Sequence, residues 1–301
     1  MKLQIQFILQ MTILLLGPVV FLRADVPVKE EMIAARDVTL FVRIVGDPVA
    51  APVLIALNGG PGQSSHYMKS LERLAGPGFV VVTFDQRGTG RSSEPKDGYA
   101  LDKYAVDIEA IRLHLRAEKI HLFGHSFGGV LAQRYAAAHP ERVKSLILMG
   151  SGPPAAREIA AAQGRLGQRI QSLIKENVIT GPQPSAPDEV LRYILPAYFS
   201  DPKFPIPEEI LASTFRLDIG PKTFADSGDW DFREEEKSVT CPVLFLWGED
   251  DPFGLEMADV SKRALGNSDL TAVTLIKCGH YWHENMDDFF REVEGFLKKN
   301  H

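Results

Sequence analysis

The chain has 301 residues, with 33 lysines and arginines against 39 aspartates and glutamates, a net charge of −6 and 45% hydrophobic residues. That is enough chain for one core domain with an insertion. The acidic balance supplies no basic stripe for a phosphate backbone, so nucleic acid is not an expected partner.

Met1-Lys2 opens the chain, and Ile5 to Leu22 is mostly apolar, interrupted by Gln6, Gln10 and Thr12. A basic start, an apolar middle and the small Ala24 give the pattern of a secretory signal peptide over residues 1–24. Leu22 is large where a small residue is preferred, so an uncleaved membrane anchor is the alternative, and an extension docked on the core is the plainest one. The expected location is exported, periplasmic or secreted, or anchored at a membrane. Any membrane association is expected through this segment alone.

Next, Glu31–Ala34 and Thr39–Val45 read as an antiparallel pair, Val53–Leu57 as a buried strand, and Phe79–Phe84 as a central strand. Gly88-x-Gly90 lacks the third glycine and the following helix of a dinucleotide fingerprint. Leu101–Leu115 carries apolar residues at helical spacing; Ile120–Phe123 is a strand, Val130–Ala138 a helix and Val143–Met149 a strand. From 152 to 238 the texture changes, with Pro182, Pro184, Pro187, Pro196, Pro202, Pro205, Pro207 and Pro221 cutting the segment into short helices and loops. Cys241–Gly248 and Leu270–Ile276 are strands, and Glu284–Lys299 is an amphipathic helix with Met286, Phe289, Val293 and Phe296 on one face. Cys241 and Cys278 fall at opposite ends of neighbouring strands and are expected to be free, buried thiols.

Gly124-His125-Ser126-Phe127-Gly128 lies between a strand and a helix, the setting of a nucleophile elbow. Its turn is tight enough to strain the serine backbone and to demand small residues two before and two after, which Gly124 and Gly128 provide. Ser126 is therefore the candidate nucleophile. An acid and a histidine must follow in that order, each past the carboxyl end of a strand. Gly150-Ser151-Gly152-Pro153 holds no carboxylate, which leaves the turn Glu249-Asp250-Asp251. Asp251 is favoured because Pro252 fixes the chain after it, with Asp250 the alternative. His280, directly after Gly279, is favoured as the base over His283. Cys278-x-His280-x-x-His283 lacks a convincing further ligand, so no metal is expected. The backbone N–H groups of Phe127 and Gly60 are the expected oxyanion donors, the latter from Asn58-Gly59-Gly60-Pro61-Gly62 after the early strand.

That loop, together with Asp85-Gln86-Arg87-Gly88-Thr89-Gly90-Arg91-Ser92, the elbow and Cys278-Gly279-His280, resembles the proline iminopeptidase family of α/β-hydrolases. The resemblance implies a mostly parallel central sheet with helices on both faces and an inserted helical cap. The core would span 25–151 and 239–301, and the cap 152–238. It implies no cofactor, and a small-molecule or short-peptide substrate. Asn58 stands where the family has histidine, and the cap shows no match to the motif bearing the family's ammonium-binding glutamates. The acids of the cap's second half, Glu208, Glu209, Asp226, Asp229, Asp231 and Glu234 to Glu236, read as a solvated face. Through the resemblance, a subset including Asp229 and Asp231 would receive a substrate ammonium, and Asn58 and Gly59 would face the substrate. Of two enzyme readings, the Asp85–Ser92 match favours an aminopeptidase releasing N-terminal proline or another small residue, with a carboxylesterase or lactonase acting on small neutral esters as the alternative. A complete serine, acid, histidine and oxyanion loop argues against a non-catalytic binding module.

Overall fold

The computed structural model describes residues 26–49, 51–75 and 78–301. The expected leader, residues 1–24, lies outside the described residues. No helix among the described residues is long and apolar enough to cross a membrane.

Eight strands form one sheet: β1 (Val28–Ala35), β2 (Val38–Val45), β3 (Val53–Leu57), β4 (Val80–Phe84), β5 (Ile120–His125), β6 (Val143–Met149), β7 (Val243–Gly248) and β8 (Leu270–Leu275). Their order in space is β1-β2-β4-β3-β5-β6-β7-β8. β2 runs antiparallel to β1 and β4, and the pairings from β4 through β8 are parallel. β3, β4 and β5 are buried along their whole length, as their unbroken apolar runs demand when both faces of a parallel sheet are covered.

Alternation along the strands divides the core in two. Val53, Ile55 and Leu57 of β3 face a layer that contains Ile108 and Ile111 of α1 (Leu101–His114) and Val130 and Leu131 of α2 (Phe127–Ala138). Leu54 and Ala56 face the opposite layer, with Tyr67, Met68 and Leu71 of the 3₁₀ segment Ser65–Leu74 and the apolar stripe of the C-terminal helix. The insertion between β6 and β7 carries α3 (Ile159–Lys175), α4 (Pro187–Ile194), α5 (Glu208–Leu211) and α6 (Ile219–Ser227). α7 (Glu256–Ala264) follows β7, and α8 (Met286–Lys299) closes the chain. Within α8, Phe289, Phe290, Val293, Phe296 and Leu297 are buried, while the Asn285 side chain accepts from the Asp288 amide to cap its first turn.

The structure adjusts some of the expected elements and adds others. The C-terminal helix starts at Met286, because Trp282–Asn285 forms a 3₁₀ turn before the Asn285 cap. The Ser65–Leu74 segment and α7 were not anticipated, although Met257, Ala258, Ser261 and Ala264 give α7 a readable buried face. Cys241 is only partly buried, with its thiol pushed up to about 12 by desolvation; both cysteines are free.

Glu236 sits in the 3₁₀ turn Glu235–Ser238, which packs on α2; it is wholly buried, and neither carboxylate oxygen has a hydrogen-bond partner. Burial holds its carboxyl well above the usual range, with Asp231 and Glu235 adding repulsion. A folded-state pKa above the unfolded one means that this site weakens the fold progressively as pH rises above the ordinary carboxylate range. Glu236→Gln, isosteric and neutral, should therefore raise Tm by a few degrees near pH 8 and leave it unchanged near pH 4. A Tm difference that does not vary with pH would contradict this assignment.

Candidate active site

The register of the parallel strands brings the chemistry to one edge. Leu57 pairs with Gly124, His125 with Met149, and Gly248 with Leu275, so the loops after β3, β5, β6, β7 and β8 leave the sheet together. Ser126, between β5 and α2, has φ 56° and ψ −123°, an unfavourable conformation for a residue with a side chain. The turn is held by close backbone packing: a Cβ on Gly128 would overlap the Leu57 carbonyl, which no side chain could do. On the other side, a Cβ on Gly59 would lie 2.8 Å from Ser126 Cβ, so the loop after β3 passes directly against the nucleophile candidate.

The three acids after β7 differ sharply in surroundings. Asp251 is buried; its Oδ2 lies 2.9 Å from His280 Nδ1, and its Oδ1 accepts from the Phe253 amide at 2.9 Å. Asp250 is exposed and accepts from Ser200 Oγ, while Glu249 is exposed and accepts from the Lys277 amide at 3.2 Å. His280 is buried, and its Nε2 has no protein partner. A carboxylate on Nδ1 fixes the neutral tautomer that leaves Nε2 unprotonated and ready to accept. His283, the competing base, is instead bound through Nε2 to the Glu209 carboxylate. No group of three metal-binding side chains occurs among the described residues, and the Cys278 thiol, which burial pushes upward, lies 3.4 Å from the Tyr281 carbonyl.

Ser126, Phe127 and Gly60 line one cavity of about 170 Å³. Phe127 is the first residue of α2, so its N–H belongs to the first turn of a helix and has no intrahelical partner. The remaining wall is largely apolar: Pro61 and Val130 from the core, Pro153, Ile159, Ala162, Leu166 and Phe224 from the insertion, and Phe253 and Met257 beside β7. Gln163, Ser151 and Tyr198 add polar atoms.

Three residues expected at the substrate lie elsewhere. Asn58 is fully buried and turns its side chain into its own loop, Nδ2 donating to the carbonyls of Gly59 at 3.1 Å and Gln63 at 2.6 Å. It shapes its own loop rather than lining the cavity. Asp229 is exposed just past α6, and Asp231 is exposed, pairs with Arg233 and borders a separate surface depression with Asp226 and Glu235. Their charges are solvated or paired because the segment after α6 runs over the outside of the core.

The Asp85–Ser92 motif proves to be scaffolding. Arg87 is wholly buried and makes a two-pronged bond to Asp107, both contacts at 2.8 Å, while also donating to the carbonyls of Gly98 and Lys103. Asp85 accepts from the Ser65 amide, the Ser65 hydroxyl and the Arg91 amide. Gln86 Nε2 donates to the Asn58 carbonyl at 2.7 Å, which couples this motif to the loop beside Ser126. Glu284 was not anticipated: its carboxylate accepts from the amides of Gly279, Ser200 and Asp201 and ties the histidine loop to the insertion.

The chain is similar to known proteins over most of its length. Residues 52–285 match the α/β-hydrolase fold family. A proline iminopeptidase of Thermoplasma volcanium is 30% identical over 266 residues, covering 82% of this chain and 89% of that protein. A proline iminopeptidase of Lactobacillus helveticus is 30% identical over 280 residues, covering 86% and 94%. The crystal structure of a proline iminopeptidase-related protein from Thermus thermophilus superposes with a TM-score of 0.69 at 24% identity, over 90% of this chain and 98% of the other. With residues 52–285 matching the fold family and relatives 30% identical over more than four fifths of its length, the chain is a hydrolase that belongs to the proline iminopeptidase-like family of α/β-hydrolases.

Proposed function

We propose that this enzyme is a serine hydrolase working through an acyl-enzyme, with Ser126 as nucleophile, His280 as general base and then acid, and Asp251 as the group that orients and stabilises the imidazole. The Asp251–His280 distance of 2.9 Å, the unpartnered His280 Nε2 and the strained Ser126 support these roles. His280 Nε2 takes the Ser126 proton as Oγ attacks the carbonyl, and returns it to the leaving group. The amides of Phe127 and Gly60 stabilise the oxyanion. Water then repeats the sequence to free the acid.

The single observation that carries the substrate reading is the wall of the cavity. At about 170 Å³ it suits a small acyl group rather than a drug-sized ligand. Its apolar side chains favour an uncharged acyl group, so we infer ester or lactone hydrolysis. The second reading is release of an N-terminal proline or similar small residue, favoured by the relatives at 30% identity. A prolyl ring is also small and apolar, but its ammonium would need a partner. The carboxylates of Glu209 and Glu284 are bound elsewhere, and Asp229 and Asp231 are exposed outside the cavity.

Matched reporters separate the two. On the ester reading, a short-chain acyl ester is cleaved readily, and an N-acetyl aminoacyl reporter performs as well as its free-amine counterpart. An aminopeptidase would prefer the free amine by at least about tenfold in kcat/KM, the ratio that about 1.4 kcal/mol of ammonium binding gives. A preference of that size would reverse the order of the two readings.

A further inference from the structure

We infer that Tyr67 and His125 are positioning residues, whose side chains join the oxyanion loop to the backbone of His280 through one directional chain of hydrogen bonds. This rests on the proposed roles of Ser126 and His280. Gly59 N–H donates to Tyr67 Oη at 2.6 Å, Tyr67 Oη lies 2.7 Å from His125 Nδ1, and His125 Nε2 lies 2.9 Å from the His280 carbonyl. Both side chains are buried.

The proton positions follow from the partners. A carbonyl can only accept, so His125 Nε2 carries the proton and Nδ1 offers a lone pair. Tyr67 must therefore donate its hydroxyl proton to Nδ1 and accept from Gly59. The opposite tautomer would set a bare Nε2 lone pair against the His280 oxygen. The imidazolium is disfavoured because burial, with His280 close by, pushes the His125 pKa well down. One assignment satisfies the whole chain, and it runs one way: Gly59 to Tyr67 to His125 to His280.

Its ends matter more than its length. Gly59 precedes the Gly60 donor, and His125 precedes Ser126. β8, which delivers His280, stands three strands from β5 in the sheet. Through the sheet alone, the histidine loop is placed relative to the elbow only by way of β6 and β7. The His125 bond places it directly. The His280 amide, for its part, donates to the Tyr198 carbonyl of the insertion at 2.7 Å, so both backbone polar groups of the base are occupied. Misplacing a reacting group by about 1 Å can lower turnover by about a hundredfold, so a chain that sets this spacing acts on kcat.

The test uses the full-length protein with p-nitrophenyl butyrate as reporter and a fluorophosphonate taken to completion to count labelled Ser126 sites. His125→Leu and Tyr67→Phe should each lower kcat per labelled site by about tenfold or more, with KM within about twofold, because the loss is of alignment and not of binding. His125→Gln can place an amide N–H where Nε2 stands, and should recover to within about threefold of wild type. A purely packing role predicts a lower Tm with unchanged kcat per labelled site in both variants, and no advantage of glutamine over leucine; either result overturns the inference. If His125→Leu does not fold, Tyr67→Phe, which keeps the ring, decides with the glutamine variant. Failure of the wild type to label at Ser126 would overturn the functional reading and this inference with it. A normal wild type with unaffected variants would overturn this inference alone.

Discussion

Ser126→Ala should lower kcat by at least about a thousandfold while leaving Tm close to that of the wild type. The two halves of that expectation come from different features. Ser126 Oγ is the one group proposed to bond the substrate carbon, and what the variant retains comes from substrate binding and the oxyanion donors. Stability is expected to hold because alanine keeps the Cβ, so the strain at φ 56° is neither relieved nor increased. The backbone bonds around the elbow are also untouched: Ser126 N–H donates to the Met149 carbonyl at 3.1 Å, and the Ser126 carbonyl accepts from Gly129 and Gly152 at 2.9 Å each. Steady-state hydrolysis of an ester reporter beside a thermal melt gives both numbers. Retention of more than about a tenth of wild-type turnover, or fluorophosphonate labelling at another residue, would remove Ser126 from its proposed role.

What the sequence disclosed and what it hid divide along a physical line. The strands were readable because parallel strands buried on both faces require unbroken apolar runs, as in Val53–Leu57 and Phe79–Phe84. The elbow was readable because its steric demand falls on fixed neighbours of Ser126. The direction a polar side chain takes was not readable. Asn58 looked like a group facing substrate and instead holds its own loop closed; Asp231 looked like an ammonium ligand and instead pairs with Arg233 on the surface. Tyr67, His125 and Glu284 act across 58, 155 and 84 residues of chain, and no local periodicity records such partners. Arg87 and Asp107 belong with them, since a motif shared with a family is as easily a buried ion pair beneath the active loops as a set of reacting groups.

Asp251→Asn should lower kcat by about two to four orders of magnitude, whereas Asp250→Asn and Glu249→Gln should each cost less than about threefold. The difference follows from where each carboxylate spends its lone pairs. Asp251 uses Oδ1 for the Phe253 amide and Oδ2 for His280 Nδ1, and its side chain is shielded from water. An asparagine there must aim its NH₂ group at one of these two partners. Turned toward Phe253, it meets another donor and leaves an N–H unpaired in a buried site. Turned toward His280, it donates to Nδ1 and selects the tautomer whose proton sits on Nε2, which can no longer accept from Ser126. The first arrangement destabilises the site and leaves the imidazolium without a carboxylate charge beside it; the second takes away the lone pair of the base without deleting an atom of it. Asp250 and Glu249 are exposed and make single side-chain contacts, to Ser200 Oγ and the Lys277 amide. Water replaces such contacts at small cost. Comparable losses at all three positions would mean that the turn acts through its summed negative charge on His280, and raising the ionic strength should then depress the wild type as well.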